Sequence, residues 1–172
     1  MALVIEDGTG IAGANSFVDV PTFRAYAAAR GIALPVADAD VEILLVKAMD
    51  YLSLYESRLV GVQLDPAQSL IWPRVAYPAA TTAPWWESAV PGALPRAQMA
   101  LAVHAIAGPL LQAERPTTDR GPIKSVTVGP ITTEYAGAKT ASPDGQPRFP
   151  DVDMILRSFL RGSVTSIIAR RG

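Results

Sequence analysis

The chain has 172 residues, 49% hydrophobic and 18% charged, which describes one packed globular domain rather than a disordered segment. It has no cysteine, which excludes thiolate metal sites, redox dithiols and thiol catalysis. A chain of this length buries roughly 70% of its unfolded surface and needs neither disulfide nor metal to fold.

The net charge is −1 and the isoelectric point is near 5.8. Nucleic-acid affinity draws on clustered Lys and Arg, and here they are scattered along the sequence. The one dense basic pair is Arg170-Arg171, and Arg58 and Arg74 are the only basic residues between Tyr51 and Leu94. No basic segment precedes an apolar run at Met1-Ala2-Leu3, and no apolar window reaches about 18 residues, so a soluble, unsecreted protein without a membrane partner is expected.

Residues 1–17 are Gly-rich and lack a helical period, which predicts an extended arm with turns. A first helix follows, with Asp19 as its cap, Pro21 in its first turn, Phe23, Tyr26 and Ala27 on one face and Gly31 at its end. A second helix begins near Asp38 or Asp40 and runs to about Tyr55. Glu42, Lys47, Asp50 and Ser53 form its narrow polar stripe, while Val41, Leu44, Leu45, Met49 and Leu52 make it a central helix.

From Glu56 to Leu94 the chain is rich in proline and turn residues and predicts a long loop without elements of its own. A third helix opens at Pro95, passes through Met99, Ala102, Val103 and Ile106 and ends at Gly108-Pro109; it is small and apolar nearly all round, which implies burial. A last helix capped by Asp151 carries Val152, Ile155, Leu156, Phe159 and Leu160 as an amphipathic stripe ended by Gly162.

Between the last two helices, Ile123 to Tyr135 read as a lone β-hairpin: Val, Ile, Thr and Tyr are strand formers and Gly129-Pro130 supplies the reversal. Alternation along the chain places Ile123, Thr133 and Tyr135 on one face and Val126 and Val128, beside Lys124 and Glu134, on the other. A two-stranded ribbon is marginal alone in water, so it needs its own helices or a neighbouring chain. The tail after Gly162 has three β-branched aliphatics, Val164, Ile167 and Ile168, followed by Arg170-Arg171, a composition suited to a strand that docks on an acidic partner.

The chemical signals are weak. Gly8-Thr9-Gly10-Ile11-Ala12-Gly13 matches the dinucleotide fingerprint, but no helix pattern follows it, and a flexible arm is the better reading. His104 is the only histidine, with no Asp or Glu within a helical turn, and reads as a buried, hydrogen-bonded core histidine. Asp38, Asp40 and Glu42 sit where a helix N-terminus favours anions. Trp72, Trp85 and Trp86 lack interleaved basic residues and read as packing anchors or a protein interface rather than base-stacking groups. No catalytic constellation, cofactor site or metal site emerges, and the expectation is a protein that is not an enzyme.

Four motifs occur in order: Gly13-Ala14-Asn15-Ser16-Phe17-Val18 before the first helix, Trp72-Pro73-Arg74 after the second, Val128-Gly129-Pro130-Ile131 through Glu134-Tyr135, and Pro150 through Leu160. Together they resemble the head-to-tail adaptor (head completion) proteins of tailed bacteriophages, in the branch that carries the label DnaT-like single-stranded-DNA-binding protein. The resemblance implies a mainly α subunit, a small bundle of about four helices with one protruding β-hairpin and extended N- and C-terminal arms. Residues 1–162 would form a single adaptor domain, with the hairpin arm at about 123–136, and residues 163–172 a docking tail.

The function implied is a structural neck protein of the virion, assembled in the bacterial host cytoplasm. It would form a homo-oligomeric, twelve-fold ring joining the portal protein to the downstream neck, stopper or tail protein, with double-stranded DNA passing through the lumen without specific binding. Ile123, Val126, Val128, Gly129, Pro130, Ile131 and Tyr135 would form the subunit interface, and Val164, Ile167, Ile168, Arg170 and Arg171 would dock on the portal. The alternative, from the branch label, is a single-stranded-DNA-binding replication accessory protein.

Overall fold

The computed structural model describes residues 2–75, 89–111, 125–128, 131–134 and 148–161. It divides into two compact units, Met1–Leu110 with Phe149–Gly172, and Leu111–Arg148. The first is mainly helical and the second carries the hairpin.

Helix α1 spans Val20–Ala28. Asp19 caps it as expected, its carboxylate accepting from Thr22 N; hydrogen bonding by the Thr22 side chain, and then by its backbone, holds the carboxyl below the usual carboxylate range. Gly31 takes a left-handed φ of 65° just past the helix, the conformation for which glycine is the preferred terminator. Helix α2 spans Asp38–Ser53, and its apolar positions Val41, Leu44, Leu45, Ala48, Met49 and Leu52 are all buried. Asp38 and Asp40 lie in its first turn without capping it, because the N-cap position falls to Ala37.

Helix α3, Ala93–Ala107, starts two residues before Pro95 and packs between α2 and α4. Its near-uniform apolarity is realised as burial of Leu94, Ala97, Met99, Ala100, Leu101, Ala102 and Ala105. Helix α4, Pro150–Leu156, has Phe149 and not Asp151 at its N-cap, and gives way to a 3₁₀ turn at Arg157–Phe159. The chain is already extended at Leu160, which bridges Leu59, so the stripe of Val152, Leu156 and Phe159 reaches the core through two kinds of helix.

Two expectations from sequence are corrected here. The stretch from Glu56 does have elements: a 3₁₀ turn at Glu56–Arg58, and strands β1, Val62–Gln63, and β2, Arg74–Val75, paired antiparallel. The hairpin is therefore not the only ribbon. The N-terminal segment is no free arm either. Ile5 bridges Ser16 in parallel, and Ala14, Phe17 and Val18 join the core.

The hairpin itself stands. Strands β3, Ser125–Val128, and β4, Ile131–Glu134, pair antiparallel with Val126 opposite Thr133 and Val128 opposite Ile131. Residues directly opposite in such a ladder belong to the same face. The faces inferred from alternation alone are thus wrong: Thr133 shares a face with Val126, Val128 and Ile131, and Glu134 belongs to the other with Ser125, Thr127 and Thr132.

One polar residue holds three segments of the core together. Gln98, fully buried on α3, accepts from Phe17 N at 2.9 Å and donates to Ser16 Oγ at 2.8 Å and to Leu45 O on α2 at 3.1 Å. The Gln98→Leu variant keeps the volume but leaves buried polar groups unpaired, and is expected to lose about 3 kcal/mol. Urea unfolding checks this: the midpoint should fall with the slope unchanged.

Candidate functional site

The Gly-rich loop is closed around the chain's own carboxylate. Glu6, almost fully buried, accepts from Gly8 N and Gly10 N through Oε1 and from Ile11 N through Oε2, each at 2.8 Å. Gly8 and Gly10 have φ of 106° and 81°, values that turn their N–H groups inward and that other residues rarely adopt. A nest of backbone N–H groups is an anion site, and here the anion is Glu6. The N–H groups of this dinucleotide-like glycine pattern are thus taken up by the chain's own carboxylate.

The Trp72-Pro73-Arg74 motif is also structural. Trp72 is fully buried, its ring edge-on to Phe159 with centroids 6.1 Å apart, and its Nε1 donates to Ala89 O at 3.0 Å. The Trp72–Pro73 peptide is cis. Arg74, 3% exposed, donates to the carbonyls of Val60, Ile71 and Gly61. Burial pulls its pKa down, and the nearby Glu56 works against that pull.

The fold brings together arginines that are far apart in sequence. Arg161 donates from Nε to Leu59 O at 2.9 Å and from Nη2 to Gly61 O, the carbonyl Arg74 also holds. Arg161 N donates to Arg58 O at 2.7 Å. Arg58 leans on the Tyr55 ring and reaches Asp153 at 3.4 Å, while Tyr55 Oη donates to Asp153 at 2.9 Å. Burial, and then Asp153, push the Tyr55 phenol far above its ordinary pKa, so it stays protonated and ties the end of α2 to α4. The reading of scattered basic residues is corrected at this point: Arg58, Arg74 and Arg161 form one group.

Arg74 and Arg161 line an open groove of about 620 Å³ with Leu54, Glu56, Ser57 and Val62. It adjoins a second groove of about 530 Å³ that is edged by Asp50 and again by Glu56. No aromatic side chain lines either groove among the described residues.

His104 is not buried. It is 39% exposed, its Nε2 lies 2.9 Å from Asp151 Oδ2, and its ring stacks on Phe149 with centroids 4.6 Å apart. The partner comes from α4 rather than from its own helix, so a one-turn search along α3 missed it. The first turn of α2 is no site of its own, because Asp38 is taken by Arg24 at 2.7 Å. No group of three or more metal-ligating side chains occurs among the described residues, and no described helix is long and apolar enough to cross a membrane.

Of the residues expected at a subunit interface, Val126, Val128 and Ile131 lie in the hairpin strands, whereas Ile123, Gly129, Pro130 and Tyr135 lie outside the described residues. Trp85, Trp86 and the docking-tail residues Val164, Ile167, Ile168, Arg170 and Arg171 lie outside them too. The residues that the sequence did not single out are Glu6, Gln98 and Arg161. A glutamate just ahead of a Gly-rich turn was the one local signal among them.

Compared with known proteins, residues 1–172 match a family model described as "Putative DnaT-like ssDNA binding protein". No curated protein and no solved structure matches the chain.

Proposed function

We propose, for a chain that belongs to the putative DnaT-like ssDNA binding protein family, a non-catalytic assembly role at DNA. In it the protein forms the ring of a phage neck, between the portal and the next neck or tail protein. The observation that carries this reading is the hairpin. It is a ribbon of two four-residue strands in the unit Leu111–Arg148, with Val126, Val128 and Ile131 gathered on one face. A ribbon of that size is not stable alone, and a repeated neighbour is the cover a ring supplies. The order of the four motifs, from Gly13 to Leu160, supports the same reading through its resemblance to head-to-tail adaptors.

The second reading is single-stranded-DNA binding, which is what the family description names. The grouping of Arg58, Arg74 and Arg161 favours it. Against it, Trp72 is inside the core, Arg74 is spent on three carbonyls, and Asp50 and Glu56 stand along the grooves where a phosphate backbone would run. Single-stranded DNA binders combine a basic track with stacking aromatics; among the described residues Arg58 covers the buried Tyr55 and Arg30 covers the half-buried Tyr26, and neither aromatic lines a groove.

Two measurements separate the readings. Electron microscopy and sedimentation of the purified protein, alone and with portal, should show closed rings. Fluorescence anisotropy with a labelled oligothymidine should give dissociation constants no tighter than about 10⁻⁴ to 10⁻⁶ M at physiological salt, the non-specific range, with steep weakening as salt rises. Submicromolar binding by a protein that forms no ring would replace the first reading with the second.

A further inference from the structure

We propose that α2 carries, at its two ends, the two halves of a head-to-tail contact between copies of this chain: the corner at Val36 and Asp40 on one copy seats in the groove at Leu54, Val62 and Arg161 on the next. The proposal rests on the ring reading and names its interface residues.

The first half is a built corner. Val36 is 96% exposed, the most exposed large hydrophobic side chain described. It is held out rather than left loose. Arg24 donates from Nη1 to Pro35 O at 3.1 Å, from Nη2 to Val36 O at 2.8 Å, and from Nε and Nη2 to Asp38 Oδ1. One guanidinium thus fixes three successive points of the turn into α2. Asp40, one turn further on, is exposed and has no side-chain partner among the described residues. The corner therefore presents an aliphatic group and an unpaired carboxylate in one pre-organised shape, which lowers the ordering cost of binding.

The second half is complementary in both respects. Leu54 and Val62 are 47% and 45% exposed and line the groove of about 620 Å³. Arg161 is exposed on its wall, with Nε and Nη2 committed to Leu59 O and Gly61 O and Nη1 without a partner among the described residues; Arg74 adds a buried positive charge. Against these stands Glu56, so the groove has one net positive charge. That suits one carboxylate beside an aliphatic side chain. A polyanion would have to continue past Asp50 and Glu56 in the adjoining groove.

Position allows the contact to repeat head to tail. Helix α2 has 16 residues, about 24 Å at 1.5 Å per residue, with the corner at its N-terminus and Leu54 just past its C-terminus. Two such patches can also pair twice across a two-fold axis as a closed dimer, and it is the ring reading that selects the head-to-tail arrangement. Repeated, they close a ring or run on as a filament.

Sedimentation velocity of the full chain over a wide concentration range tests this. Val36→Asp and Asp40→Arg alter exposed side chains outside the core, so helical circular dichroism should be unchanged and melting should fall by no more than a few degrees, the cost of a cation in the first turn of α2, while self-association weakens about tenfold or more, the scale of a close interfacial ion pair. Arg161→Glu should weaken it likewise, and Asp40→Arg combined with Arg161→Glu should restore it. Since Arg161 also holds two carbonyls, Glu56→Gln serves if Arg161→Glu does not fold: removing the like charge should tighten association. Rings that form equally well with Val36→Asp and Asp40→Arg overturn this contact and leave the ring reading standing. Absent restoration by the folded charge-swapped pair, or no tightening by Glu56→Gln, overturns the Asp40–Arg161 pairing. A wild-type chain that stays monomeric alone and with portal overturns both the contact and the ring.

Discussion

Replacing Trp72 by alanine is expected to cost about 3 to 5 kcal/mol, the range for truncating a fully buried large aromatic. The indole touches nothing but protein: its edge meets Phe159 beyond α4, its Nε1 donates to Ala89 O, and the next residues lead into β2. Losing it opens a cavity where the 3₁₀ turn after α4 meets the segment after α2, and leaves the Ala89 carbonyl without its donor. Domains of this kind have roughly 5 to 15 kcal/mol of stability in all, so a third or more would go. The melting midpoint should fall by roughly 10 °C or more at this chain length. Trp72→Phe, which keeps most of the packing and loses the Nε1 donor, should fall by about half as much. An unchanged melting midpoint for Trp72→Ala, accompanied by weaker oligonucleotide binding, would overturn the anchor role in favour of a base-stacking one.

The same residue shows what the sequence could and could not tell. Where a rule is local, the residues declared the structure. Asp19 and Gly31 mark the ends of α1 because capping and left-handed termination depend on a few neighbouring atoms. The burial of α2 and α3 follows from apolar residues recurring over three or more turns. Trp72 reads from sequence as a packing anchor or an interface residue, and the fold makes it an anchor.

What failed was whatever depended on a partner distant in sequence. Helix α4 ends at Leu156 although its apolar period continues to Leu160, because Leu59 and Val60 draw the chain into backbone pairing at Phe159 and Leu160. Strands β1 and β2 are two residues each, too short for any alternation to register. His104 was assigned to the core because Asp151, 47 positions away, could not be foreseen beside it. The hairpin faces were misassigned for a different reason. Counting alternate residues through a turn assumes a continuous period, whereas the pairing of Val128 with Ile131 resets it.

The grouping of arginines is the most consequential of these distant effects. Arg58 and Arg74 look isolated in a Pro-rich stretch, and Arg161 looks like the end of a helix. In the fold Arg74 and Arg161 both reach the turn at Gly61, whose carbonyl accepts from their two guanidiniums, and Arg58 joins them through its backbone carbonyl, which accepts from Arg161 N, while its side chain faces Tyr55 and Asp153. The donors of Arg74 and Arg161 satisfy the backbone carbonyls of Leu59, Val60, Gly61 and Ile71. Such arginines act first as hydrogen-bond donors that hold a turn, and they leave charge for a ligand only at the groove wall.

Deleting Lys124 to Glu134 and closing the gap with a short Gly-Ser bridge is expected to abolish ring formation while leaving helical circular dichroism almost intact. The deletion falls wholly inside the unit Leu111–Arg148, whereas the four helices and the network of Gln98, Trp72 and Arg74 belong to the other unit. Its effect on the helical core should therefore be small. Its effect on assembly should be large, because Val126, Val128 and Ile131 are gathered on one face of a ribbon too short to be stable uncovered. A milder variant isolates that face: Val126→Thr with Ile131→Thr keeps the β-branched strand propensity and leaves Val128 as the one aliphatic residue of the three, so it should weaken assembly without unfolding the ribbon. If the face matters, both variants sediment as smaller species than the wild type and fail to join portal. If the deleted protein still forms rings that bind portal, the hairpin is a cover within one chain, and the ends of α2 are left to account for assembly alone.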